Sequence, residues 1–564
     1  MNTRKTLFFF TTFLVVLLLV ASVAAAAVPK RVLIVVMDQM HPEYAQQYNM
    51  TNVLWLEKHG AFFPNAYVGD MASETVVSHN VMVSGLFPNH MGWSDEAFRD
   101  ANGALGTDSQ GIYITGSLSY PQFGNLIAAA NYPKLGTYLQ SKFPNSVVAC
   151  VGEKNYQVRS MLAGTSAGDK NAIGLFLGSR PSTPDPAIVQ EVGGNYRPPS
   201  GINVPKYISE PAGNRFYVRS ESSNDYGTRS QFPSWIYPED GNRMVPGTDP
   251  KHLGGDTWVA DAAIKIMQNE KWSGLFVNFG GIDKIGHMWG GGEFDSQENF
   301  PGVTWNEMVH ESFIAKNADD QLGRLIATLK KNGQYSNTLI VLTADHGSTY
   351  AKNFYGQPGK GAGDYNWYYG NSITDGSYYN VIDPLTGIRV PPVAPALQPL
   401  IDTGKVAFSY QSTAIETWVT DPSAKEAVAL AMRDLPGVIA TYVKSPTGFS
   451  YDLDQVMTSK IDTASELSWL NLHGQELVDT MAWPGSADVV GLLADNSSYG
   501  AFGDHGGAQM DVQRIPMAFS MPGIEHTVDQ SAFRLVDVMP TVLKSFGIQP
   551  SHEMDGQAYT LPID

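Results

Sequence analysis

The stretch VLTADHGSTY sets Asp345, His346 and Gly347 directly behind a run of β-forming residues. Asp and Gly are frequent turn residues, so a turn is the plain reading. Asp and His are also good ligands for a divalent cation, and the chain offers them partners. Asp38 closes RVLIVVMD, Asp283 and His287 stand four apart in GIDKIGHMWG, and His505 lies in FGDHGG. A spacing of four puts Asp283 and His287 on one side of a helical turn. One Asp-x-x-x-His alone is more often a surface pair, but the joint set is enough for two cations. Two divalent ions about 4 Å apart clamp the oxygens of an in-line displacement at phosphorus. Thr75, just before the helix-like VVSHNVMVSG, adds a hydroxyl where helix N–H groups and the helix dipole favour a phosphate. The plain alternative for Thr75, or for Ser73, is a helix N-cap.

Such residues need elements that converge. RVLIVVMDQ, SVVACVG, GLFVNFGGID and TLIVLTADHG are apolar runs suited to strands covered on both faces. The helical patterns DTWVADAAIKIMQNE and AKNADDQLGRLIATLKKNG precede the last two. This alternation predicts a layered α/β fold with a parallel sheet, in which ligands gather at the carboxyl ends of strands. Two long stretches break the rhythm, about 165–252 and 350–403, both crowded with turn-forming residues. Structureless loops of that length are unusual in a compact domain, so both are expected to be insertions packed over the core. The second continues to about residue 480 as a small subdomain, read as strand, helix, strand across KVAFSYQSTAIETWVTDP and SAKEAVALAMRDLPGVIATYV. The aromatic segment Tyr365 to Tyr379 suits packing, or a wall for a base or aryl leaving group.

In this order the motifs resemble the alkaline phosphatase superfamily, especially its type I phosphodiesterase/nucleotide pyrophosphatase branch. RVLIVVMDQM is similar to the family's first strand and metal-binding Asp, and SETVVSHNVMVSGLFPNHMG to its nucleophile segment. The closing RIPMAFSMPGI and FRLVDVMPTVLKSFGIQP are similar to its last strand and helix. The resemblance implies a three-layer α/β core with a mostly parallel central sheet and cap insertions, and two divalent metal ions, zinc by preference. Asp38, Thr75, Asp345 and His346 would hold one ion, and Asp283, His287 and His505 the other. It also implies Thr75 as nucleophile, a phospho-threonine intermediate, and hydrolysis of phosphodiesters or nucleotide pyrophosphates. The Val76 amide is a candidate donor to a non-bridging oxygen.

Two departures bear on the substrate. Asp95 and Glu96 stand where relatives carry an Asn, and a carboxylate there repels phosphate unless protonated or paired. Lys154 and Arg159 resemble, at wider spacing, the basic pair of phosphomonoesterase relatives. Glu96, Lys154 and Arg159 are therefore candidate substrate contacts. A phosphomonoesterase or phosphonate hydrolase on the same scaffold is the rival enzyme, and a non-catalytic exported binding protein the rival of another class.

The chain has 564 residues, 43% of them hydrophobic, ample for a large core. Arg4 and Lys5, the apolar run from Leu7 to Val20 and then ASVAAAAVPK read as a signal peptide over residues 1–27. The apolar run is short of the roughly 20 residues a membrane span needs. A periplasmic or secreted protein with no stable span is expected. The formal charge of −18 argues against binding nucleic-acid duplexes, and a small phosphate ester is the partner the resemblance implies. Cys150 is the only cysteine, which excludes an intrachain disulfide, and within SVVACVG it reads as a core thiol. It lacks the C/S-x-P-x-R surroundings of sulfatases that build their nucleophile from such a residue.

Overall fold

The four apolar runs form neighbouring strands of one sheet. The computed structural model describes residues 28–106, 111–164, 171–177, 190–193, 196–197, 204–208, 215–218, 255–283, 286, 307–350, 353–354, 397–500 and 503–563. The central strands are β1 (Arg31–Met37), β2 (Val147–Gly152), β3 (Ala172–Leu177), β4 (Trp272–Phe279), β5 (Thr338–Thr343) and β6 (Met517–Ser520). Their spatial order is β6-β5-β1-β4-β2-β3, with short edge strands beyond both ends. From β5 through β3 every pairing is parallel, and β6 adds the antiparallel step. β1 lies in the middle with Val32 to Met37 almost wholly buried. Apolar residues at consecutive positions are stable there only because helices cover both faces.

One helical layer contains α1 (Thr75–Ser84) and α2 (Asn155–Leu162), which pack on each other. α3 (Gly255–Asn269) and α4 (Glu307–Lys331) pack together in the other. β3 falls inside the first stretch read as an insertion, since AIGLFL is itself a short apolar strand beside β2. A second sheet of five antiparallel strands occupies the later part of the chain. There KVAFSYQSTAIETWVTDP forms two strands, Val406–Gln411 and Ala414–Val419, where one was expected. Among the described residues no helix is long and apolar enough to cross a membrane. Residues 1–27, His287 and the Tyr365 to Tyr379 segment lie outside the described residues.

Candidate active site

Parallel packing brings the acids together at one edge of the sheet. Asp38 follows β1, and its N–H donates to the Phe279 carbonyl at the end of β4 (3.0 Å). Asp283 follows β4, and Asp345 with His346 follows β5. His505 arrives from a remote segment by pairing. The two-residue strands Thr349–Tyr350 and Gly503–Asp504 run antiparallel, Thr349 opposite Asp504, so His505 lands beside His346. The two imidazoles stack with centroids 3.8 Å apart. Gly347 has to be glycine here, because a Cβ would lie 2.0 Å from the Asp511 carbonyl oxygen.

Thr75 is the first residue of α1, and Glu74 occupies the N-cap position without a side-chain cap hydrogen bond. The N-cap alternative is thus not the role of Thr75. Ser73 is engaged elsewhere: its hydroxyl donates to the Gly507 carbonyl (3.1 Å) and accepts from the Gly507 N–H (3.0 Å). That exchange pins the loop before Thr75 to the His505 loop. Thr75 Oγ1 lies 3.4 Å from His346 Nε2 and accepts a hydrogen bond from Lys154 Nζ at 2.9 Å. His346 Nδ1 faces the Gly347 carbonyl at 3.0 Å, which places its proton there and leaves the Nε2 lone pair free.

Two groups of ligand-type atoms converge, Asp38 with Asp345 and His346, and Asp283 with His346 and His505. His346 stands between them. Lys154 bridges the groups, 2.8 Å from Asp38 Oδ1 and 2.7 Å from Asp283 Oδ2. Burial alone would lower the lysine, but the carboxylates of Asp283 and Asp38 outweigh it and hold it well above its ordinary value. Burial raises Asp38 to about 6 despite Lys154, and raises Asp345 well above the carboxylate range with Asp38 adding to it. Burial, and then His505, keep His346 well below the usual imidazole value, so it is neutral.

Glu96 accepts from the Thr115 hydroxyl (2.5 Å) and from the Val76 amide, the group expected to receive a non-bridging oxygen. Burial pushes it up to about 7 against those hydrogen bonds. Asp95 turns away to Glu416 of the smaller sheet, and a hydrogen bond between two carboxyls requires a proton. Arg159 donates to the Gly116 carbonyl (2.8 Å) and to Asn155 Oδ1 (3.2 Å); among the described residues no hydrogen bond joins it to the cluster. Lys154 thus reaches the site, and its expected partner does not.

Three residues that the sequence reading passed over line the back of the site. Gln39 has a left-handed backbone (φ 68°), uncommon for a residue other than glycine. That turn aims its N–H at Asp345 Oδ1 (3.2 Å) while its side chain donates to the Gly503 carbonyl (3.3 Å). Asn278 and His79 are fully buried and touch Asp38 and Thr75. The available signals were a lone amide inside an apolar strand, and a histidine one helical turn after Thr75.

Residues 194–357 match the family model described as type I phosphodiesterase / nucleotide pyrophosphatase. Among curated proteins, alkaline phosphatase PhoK from Sphingomonas sp is 24% identical over 344 residues. That match covers 57% of this chain and 55% of PhoK, so the chain spans about half the length of this relative. Among solved structures, wild-type alkaline phosphatase PafA superposes with a TM-score of 0.57 at 16% identity. It covers 96% of this chain and 100% of PafA, and a mutant of PafA gives a TM-score of 0.58 at 14% identity. Fold and family match together make the chain similar to members of the alkaline phosphatase superfamily. Within it, the chain is similar to the type I phosphodiesterase/nucleotide pyrophosphatase branch.

Proposed function

We propose that the chain hydrolyses phosphate esters through a phospho-threonine at Thr75, with phosphodiesters or nucleotide pyrophosphates as its preferred class. The observation that carries this reading is the Thr75 hydroxyl at the head of α1, within 2.9 Å of Lys154 and 3.4 Å of His346. The surrounding donors suit divalent cations. Three buried carboxylates face one ammonium, and Asp345 Oδ2 accepts no hydrogen bond among the described residues. Carboxylate oxygen and imidazole nitrogen are zinc's usual non-sulfur ligands. Asp38, Asp345, His346 and Thr75 would hold one ion, and Asp283, His505 and His287 the other. Ions bound there supply Lewis-acid stabilisation of developing charge and lower the pKa of the oxygens they bind.

The chain's own groups do the remaining work. The start of α1 fixes the direction of Thr75 Oγ1, and the Lys154 ammonium favours its ionised form. The Val76 amide can serve a non-bridging oxygen once Glu96 releases it. A monoester dianion carries more charge than a diester, so a carboxylate at this point penalises it more. A chromogenic diester should therefore turn over faster than the matching monoester, and Glu96→Asn should shift the ratio toward the monoester. Lys154 beside Thr75 favours a second reading, a phosphomonoesterase; a wild type that strongly prefers the monoester would establish that reading instead. Export directed by residues 1–27 to the periplasm or medium belongs to the same proposal. So does a small-molecule ester, rather than nucleic-acid duplex, as the partner, which the negative charge supports.

A further inference from the structure

Behind Asp38 and Thr75 lies a run of buried hydrogen bonds whose protonation is fixed by chemistry alone. Asn278 Nδ2 donates to Asp38 Oδ2 (2.9 Å) and lies 3.2 Å from His79 Nε2. A carboxylate only accepts, so the amide nitrogen of Asn278 must face it, and the same nitrogen then donates its second hydrogen to His79. His79 Nε2 must accept, which puts the imidazole proton on Nδ1. Nδ1 lies 2.7 Å from the Thr75 carbonyl, an obligate acceptor, so both ends of the ring agree on one tautomer. Nδ1 is also 3.4 Å from Asp345 Oδ2. Burial lowers His79 to about 3, consistent with a neutral ring.

We infer that His79 and Asn278 are positioning residues that lock Asp38 to the first turn of the helix carrying Thr75. Asp38 comes from β1, Asn278 from β4 and His79 from α1, so the relay joins three separate elements at the site. Neither residue offers an atom to the two ligand groups among the described residues. Their work is orientation: Asp38 Oδ1 is left facing the site while Oδ2 is held from behind, and α1 cannot slide along its axis without breaking the bond between Asn278 and His79. Partners of this kind typically change metal affinity by about 10–100-fold when removed.

The inference rests on the proposed two-metal reading, and zinc binding to the metal-free chain separates the two. Zinc affinity would be measured by competition with a chromogenic chelator on wild type, His79→Phe, Asn278→Leu and the double variant. Wild type should bind two ions. Each single variant should bind one of them about 10–100-fold more weakly and leave the other unchanged. The double variant should be no weaker than the worse single variant, because either change breaks the same relay. His79→Gln, which keeps an acceptor and a donor, should recover most of the lost affinity. Wild-type affinity in both single variants, or fully additive losses in the double variant, would overturn the relay while leaving the metal reading intact. A wild type that binds no zinc would instead sink the proposed function. Should His79→Phe fail to fold, Asn278→Leu alone decides, since it keeps the size of the strand residue.

Discussion

At the scale of single residues, chemistry depends on one hydroxyl being unlike its neighbours. Ser73 spends both its donor and its acceptor capacity on Gly507, whereas Thr75 faces Lys154 and His346. Thr75→Ala should therefore remove nearly all hydrolysis, by several orders of magnitude, with the thermal unfolding transition little changed. Retention of most activity in that variant would mean that the nucleophile lies elsewhere. Asp38, Asp283, Asp345, His346 and His505 were legible in the sequence because each stands at or near the end of a strand or in a Gly-flanked turn. His79, Asn278 and Gln39 were not, because their partners lie hundreds of positions away or depend on a local backbone twist. Lys154 was ambiguous for a related reason: it stands at the head of α2 beside the exposed Asn155, and only its bonds to Asp38, Asp283 and Thr75 reveal that it turns inward.

At the scale of elements, α1 and α2 must stay in register for Thr75 and Lys154 to meet. Lys134 is a buried cross-tie between them, its ammonium donating to Asn80 Oδ1 of α1 and to the Ser160 carbonyl of α2 (2.7 Å). Neither partner is a carboxylate, and burial lowers this lysine to about 7. The sign of its effect follows from proton counts. Above pH 7 the folded chain has released a proton that the unfolded chain keeps until about pH 10.4. Stability rises with pH wherever the unfolded state binds more protons, so the contribution of Lys134 improves as pH climbs from about 7 to 10. The difference in unfolding free energy between wild type and Lys134→Met should move in favour of wild type across that range, as urea titrations at several pH values would show. A difference independent of pH would mean the ammonium is not desolvated as described. The strands were easier to read than such ties. Continuous apolar runs mark β1, β2, β4 and β5, but pairing partners are set by tertiary packing, which is why the antiparallel pairing of β6, a strand the resemblance implied, and the hairpin at Gln411 to Ala414 were not foreseen.

At the scale of the whole molecule, the parallel sheet assembles a site that no single segment contains. Three strand ends deliver three acids, and the smaller sheet steadies the loop bearing His505: Ser412 Oγ donates to the Gly506 carbonyl (3.0 Å) and the Thr413 N–H to the His505 carbonyl (3.3 Å). Tyr410 of the same sheet donates to Glu74 (3.0 Å), directly before Thr75. Concentrating buried carboxylates around a single ammonium is costly unless further positive charge is bound, so the architecture itself calls for cations. The most direct test is elemental analysis of the purified, active protein. The account predicts about two zinc ions per chain, activity lost on chelation and restored by zinc. A fully active preparation holding less than one metal ion per chain, and indifferent to chelation, would contradict it.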